Sequence, residues 1–354
     1  MRPSLVFFFA SSVAAIALAS ACKEDVKPAV SDGPGNIGQV GKGTGDTSDG
    51  GDAGAATTFA SFPGFNPTGL AADGDTLYVT LVPVDTTQSA EVVTVDAAGT
   101  ITVLVNNAVA PSAPTVSSGA LYYVDTPAGV TASAILSLNL SNVSAGPTVL
   151  VSGVSQPSTL VVYGSAILVA SSSGGVGVQI DSVPIAGGTA NPISSEPGEY
   201  SPGGLATDGA NVYFAARATG GGQIISTPLS GGVANSIWAG SDTGTLGAVV
   251  AANGAVYFAL TTDPNGLIYS VPTLGGLATT VVTGLTQPSA IAVNETYVYY
   301  TNNSASGGIY RASLAPDSGI AAAQIAAVSD PAFLVLGATA VYATTDQAIV
   351  RVTQ

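Results

Sequence analysis

PSAIAVNETYVYYTN, residues 288–302, is the stretch that decides the fold. Its first six residues form a Pro-led apolar run, Asn294-Glu295 marks a tight turn, and Tyr297 to Asn302 is a run of strong β-formers. Two such runs joined by so short a polar turn read as an antiparallel hairpin. Gly307 to Leu314 (GGIYRASL) continues with a third strand and Ala322 to Val328 (AAQIAAV) with a weaker outer one, before Asp330-Pro331 opens the phrase again. Aligned on its anchor, the phrase recurs at Tyr78, Tyr122, Leu168, Tyr213, Tyr257, Tyr299 and Tyr342, spaced by 44, 46, 45, 44, 42 and 43 residues. That period suits a four-stranded propeller blade. The expected fold is therefore all-β, a seven-bladed β-propeller over residues 55–354, with the anchor tyrosines in its core.

Other copies add detail. Their first turn carries Asp73-Gly74, Asp208-Gly209 or Asn253-Gly254, a pairing that favours a type I′ hairpin because both central residues need positive φ. Ser182-Val183-Pro184 with Gly187-Gly188 returns as Ser226-Thr227-Pro228 with Gly231-Gly232 and as Ser270-Val271-Pro272 with Gly275-Gly276, each time 44 residues on. The glycine pair marks a hairpin between third and outer strands, and the proline belongs at a strand end, where a missing N–H is tolerated. The seventh copy supplies only three strands, Ala332 to Leu336, Ala340 to Thr344 and Ala348 to Thr353, before Gln354. Ala55 to Phe62 (AATTFASF) has no blade of its own, so it is expected to complete blade seven as its outer strand and close the ring without a free edge.

Composition narrows the partners. Only 8% of the 354 residues are charged, the formal net charge is -15, and there is no histidine. From residue 55 onward the basic residues are Arg217, Arg311 and Arg351, so no cationic track exists to follow nucleic acid or an anionic bilayer. Without histidine, Ser-His-Asp catalysis and the commonest zinc ligand are excluded.

The N-terminus reads as an address. Arg2 precedes a 14-residue apolar run, Leu5 to Leu18, too short to span a bilayer, for which roughly 20 residues are needed. Leu18-Ala19-Ser20-Ala21-Cys22 resembles a bacterial lipobox, although Ala19 rather than Leu stands three residues before the cysteine. The resemblance implies a signal peptide over 1–21 and a diacylglycerol thioether on Cys22, the chain's single cysteine, which can form no internal disulfide. Lys23 is not the Asp that retains lipoproteins at the inner membrane, so an outer-membrane site, periplasmic or surface-facing, is expected. Residues 22–54, rich in Gly, Asp and Ser, are expected to tether a monomeric head to the membrane, and the Asp46, Asp49, Asp52 spacing lacks the loop pattern of an EF-hand.

Leu121-Tyr122-Tyr123-Val124-Asp125 and Val298-Tyr299-Tyr300-Thr301-Asn302 resemble the second-strand signature of YWTD and NHL-type propellers. Over residues 55–354 the chain also looks like the seven-copy propeller lipoproteins of myxobacteria. Virginiamycin B lyase-like propellers use a histidine absent here, whereas lactonase-type propellers hold a divalent metal with Glu, Asp and Asn. If a site exists, it belongs where the loops before inner strands meet the loops between second and third strands. Asp125, Asp263, Asn302, Asn303 and Asp346 follow second strands there, and Glu199, Tyr200 and Asp330 precede inner ones. Carboxylates and amides of this kind suit calcium or a sugar, and equally stabilise turns through their own backbone. Trp238, on an outer strand, is expected to pack between blades. The function expected from these residues is a lipid-anchored, non-catalytic binding or scaffold module for a protein or carbohydrate. The alternative is a calcium-dependent, lactonase-like hydrolase or lyase.

Overall fold

The computed structural model describes residues 56–172, 177–197, 204–218, 221–240, 244–262, 266–303, 307–315 and 322–354. These residues form seven antiparallel sheets of four strands each, arranged as the blades of a β-propeller. Blade one runs from an inner strand at Phe65–Asp73 to an outer one at Ile101–Ala108, and blades two to six begin at Pro111, Pro157, Leu205, Thr245 and Pro288. The strand bounds follow the sequence phrase closely: Pro288–Val293, Tyr297–Asn302, Ala340–Thr344 and Ala348–Thr353 are all strands. The inner strand of blade seven, Leu334–Leu336, starts two residues later than expected, and the third and outer strands of blade six, Gly308–Ser313 and Ala323–Ala327, are each one residue shorter at both ends.

Blade seven takes its fourth strand from the start of the domain. Thr57–Ser61 pairs antiparallel with Ala348–Thr353, from Thr57 opposite Arg351 to Ser61 opposite Ala348, with a bulge between Thr58 and Ala60. Phe59 lies against Tyr342 with ring centroids 5.1 Å apart, and Phe62 is buried in the core shared with blade one.

The core is divided by blade boundary. Seven buried clusters lie among the described residues, one between each pair of neighbouring blades. Every anchor sits in one of them: Tyr78, Tyr122, Leu168, Tyr213, Tyr257, Tyr299 and Tyr342 are each less than a tenth exposed. The repeat is thus a repeat of sheet-to-sheet packing, with an aromatic ring supplying large area at each boundary. In blade three Leu168 fills the place with less volume.

The turns differ in part from the type I′ expectation. Asn253-Gly254 does have positive φ at both residues, +53° and +74°. In blade one Asp73 pairs with Thr76, so the loop is Gly74-Asp75, and a positive φ at Gly74 alone gives a type II′ pattern. In blade four the loop is longer, Thr207 pairing with Val212, and Asp208 Oδ1 accepts from the N–H groups of Ala210 and Asn211. There the aspartate folds the turn as an Asx cap rather than entering a left-handed conformation. Asn294 does the same in blade six, accepting from Thr296 and Tyr297.

Two rims result. Hairpins joining inner to second strands and third to outer strands share one rim, tied by backbone bonds Leu140 to Gly119, Ile185 to Ser165, Leu229 to Ala210, Thr273 to Gly254 and Leu314 to Thr296. The first described strand and the last strand meet there too: Gln354 donates to the carbonyl of Gly337, and Thr57 pairs near the end of the last strand. The opposite rim carries the Pro-led loops and the connections from second to third strands.

Candidate functional site

The loop rim holds the five sequence-nominated residues that the structure describes; Glu199, Tyr200 and Asp263 lie outside the described residues. Asp125 ends the second strand of blade two, opposite Pro111. Its carboxylate accepts from the N–H groups of Val109 (3.1 Å) and Ala110 (2.8 Å). Asn302 holds the same place in blade six, opposite Pro288, and its Oδ1 accepts from Thr286 (3.1 Å) and Gln287 (2.8 Å). Each side chain is therefore a clip on the loop entering its own blade. Both acceptors thus already have partners; bonds to the charged Asp125 carboxylate are of the stronger kind, and those to the neutral Asn302 amide contribute about 0.5–1.5 kcal/mol each.

Asn303 is held by its backbone, N–H to Gln287 O at 2.8 Å. Asp330, just before Pro331, has φ +48°. Asp346 is exposed at the tip of a tight turn closed by Thr345 N–H to Ala348 O, and its neighbour Gln347 accepts from Gly64 and Phe62. Asp125 stands in blade two and the other four in blades six and seven. Among the described residues, no three His, Cys, Asp or Glu side chains are grouped as a cation would require.

Small hydroxyls tie this rim together between blades. Thr68 donates to Pro111 O, Thr261 to Pro288 O at 3.1 Å, and Ser289 to Pro331 O at 3.4 Å. In each case a hydroxyl of one blade satisfies the carbonyl of the proline that opens the next.

A different feature lies on the hairpin rim and was not signalled by charge. Between blades four and five is a cleft of about 440 Å³ lined by Asn211, Asn235, Ser236, Ile237, Thr273 and Leu274 among others, none of them titratable. Tyr213 lies beside it: its hydroxyl donates to Asp208 Oδ2 at 2.7 Å, and burial together with that carboxylate pushes its pKa up to about 12. Burial raises Asp208 as well, but the bonds from Tyr213, Asn211 and Ala210 outweigh it and hold the carboxyl below its ordinary value. A phenol and a carboxylate shifted apart in this way exchange no proton near neutrality. The cleft offers hydrogen bonds and apolar contact, and its lining carries no acid or base.

Leu274 at the mouth is 95% exposed, Leu277 is 93% exposed, and Val233 of the neighbouring hairpin is 77% exposed. The hairpins explain why. In blades three and four the residue after the strand-ending proline is apolar and packs inward, Ile185 and Leu229. In blade five the order is reversed, Thr273 then Leu274, which turns the leucine outward. The signal was present in the sequence as PTLGGL against PIAGGT and PLSGGV. Trp238, by contrast, packs between blades as expected, its ring centroid 4.7 Å from Phe258 and 5.8 Å from Tyr269.

No protein-family model and no curated protein matches the chain. Several solved structures share its fold. Puromycin hydrolase superposes with a TM-score of 0.62 at 15% identity, covering 81% of this chain and 51% of the hydrolase. A prolyl endopeptidase gives 0.55 at 11% identity, over 83% of this chain and 50% of that one. The computationally designed Ika8 protein gives 0.54 at 15% identity, over 84% and 99%. This chain thus spans about half the length of the puromycin hydrolase and of the prolyl endopeptidase, and at such identities the likeness is one of fold alone.

Proposed function

We propose that the protein is an exported, lipid-anchored propeller of the myxobacterial lipoprotein type that works by contact rather than by catalysis. The observation that carries this reading is the uncharged cleft between blades four and five with exposed leucines beside it. A surface of amides, hydroxyls and leucines suits a neutral partner and has no group that transfers protons. The loop rim supports the same reading, because Asp125 and Asn302 spend their oxygens on their own blades. Anchoring rests on Cys22 and the small residues before it. The test is fractionation of Cys22→Ser expressed in a Gram-negative host. Loss of membrane association, with the propeller folded, is the expected result; a variant that floats with membranes like the parent after correct processing sinks the anchor. Hydrolysis of any of a panel of lactones and esters by the parent would sink the non-catalytic half.

A further inference from the structure

We propose that the hairpin rim at blades four and five faces the lipid surface, with Leu274, Leu277 and Val233 inserted among neutral headgroups. The inference rests on the anchor reading above and adds an orientation to it. Three observations carry it. First, among the described residues these are the large apolar side chains left most exposed, and Leu274 and Leu277 flank the Gly275-Gly276 turn at a hairpin tip. Water gains nothing from two such leucines, whereas an acyl boundary takes them readily.

Second, the tether leaves from the same rim. Thr57 pairs with Arg351 near the end of the last strand, and that end lies beside the inner hairpin of its blade, where Ala340 pairs with Thr353. Cys22 lies 35 residues before Thr57, and a coil of that length reaches roughly 30–35 Å. The tether thus starts on this rim, which favours its approach to the bilayer.

Third, charge at these hairpins permits contact with neutral lipid. The hairpins Pro228 to Asn235 and Pro272 to Thr279 carry no charged residue, on a protein whose formal net charge is -15. An anionic surface would repel the body, and a zwitterionic one need not. The loop rim is then left facing outward, free for a protein partner.

Because Cys22 is the only cysteine, a lipidated protein bearing Leu277→Cys can be labelled at that single place with an environment-sensitive dye. In phosphatidylcholine vesicles its emission should move to shorter wavelength and be quenched by a lipid-borne quencher. The same dye on Asp346→Cys, on the loop rim, should read water. Asp replacing both Leu274 and Leu277 should abolish the shift seen from Val233→Cys while the protein still floats with the vesicles. A water-like Leu277→Cys reading in protein that floats overturns the orientation and leaves the anchor standing. Dye reacting with Cys22 in the membrane-derived parent sinks the anchor and this inference with it. A blue shift that grows with protein concentration in the absence of vesicles assigns the leucines to a second copy of the chain, and likewise overturns the proposal.

Discussion

Thr227 is fully buried and its hydroxyl has no hydrogen-bond partner. It pairs with Val212 on the third strand of blade four, where the repeats in blades three and five place Val183 and Val271. The two valines are packed in apolar clusters, so a threonine in that place carries a desolvated oxygen where a methyl group would fit. An unsatisfied buried polar group costs about 1–3 kcal/mol, and Val has nearly the same shape. Thr227→Val should therefore raise the free energy of unfolding by about 1 kcal/mol in urea titration. A loss of stability would mean that the hydroxyl has a role the geometry does not disclose. Residue identity was legible from the sequence here; the cost was not, because it depends on which face of the strand is sealed by the neighbouring blade. The same holds for Asp125 and Asn302. Their place on the loop rim could be read from the repeat, but whether their oxygens look toward the channel or back to the Pro-led loop is set by a turn of a few ångströms.

At the scale of elements, the inner turns show how one geometric need is met in different ways. Blade four uses Asp208 and blade six Asn294 to gather the turn's N–H groups. Blade seven has Gly337 at the corresponding point, and the carboxylate comes from blade one: Asp75 accepts from Thr339 N–H at 3.1 Å, Thr339 Oγ1 at 2.8 Å and the Tyr342 hydroxyl at 3.3 Å. A Cβ on residue 337 would sit 2.5 Å from the Asp75 carboxylate, so the glycine makes the space. Asp75 thereby latches the first blade to the last. The backbone N–H of Thr339 and then its hydroxyl hold the Asp75 carboxyl below its ordinary value, with smaller help from Tyr342 and Arg351. A depressed carboxylate contributes stability that is full above the ordinary carboxylate range and lost as pH falls through the lowered value. Asp75→Asn keeps an acceptor but cannot titrate. Its melting temperature should lie below the parent's at neutral pH, and the gap should close as the solution is acidified into that window. A gap that stays constant with pH would remove the charge from the latch. Strands and hairpins were legible element by element, since turn residues and β-formers are local signals. The latch was not, because its partners are 264 residues apart.

For the whole molecule the decisive question is how a linear array of repeats becomes a ring. Period and copy number followed from the anchors, and so did the missing strand, because seven copies with only three strands in the last leave one place and one unassigned segment. The structure fills that place with Thr57–Ser61. Its contribution is more than a ladder of hydrogen bonds, each of which is worth about 0.5–1.5 kcal/mol net. Ala60 and Phe62 are buried in the cluster that joins blades seven and one, Phe59 covers Tyr342, and Arg351 lies over both rings at 5.7 and 6.0 Å. Removing residues 56–62 would strip the core from one blade boundary and bare the edge of Ala348–Thr353 at once. Burial of Phe62 alone is worth about 1.5–3 kcal/mol, so the summed loss approaches the margin by which a domain of this kind is stable. The truncated ring should melt well below the parent and associate through the open edge, as light scattering and melting by circular dichroism would register. A truncated protein that melts at the parental temperature and remains monomeric would show that Asp75 and the inner strands close the ring unaided. Adding the excised segment back as a peptide distinguishes lost closure from general damage. Under closure it should restore much of the lost melting temperature, whereas a peptide with Phe59 and Phe62 replaced by Ser should restore little.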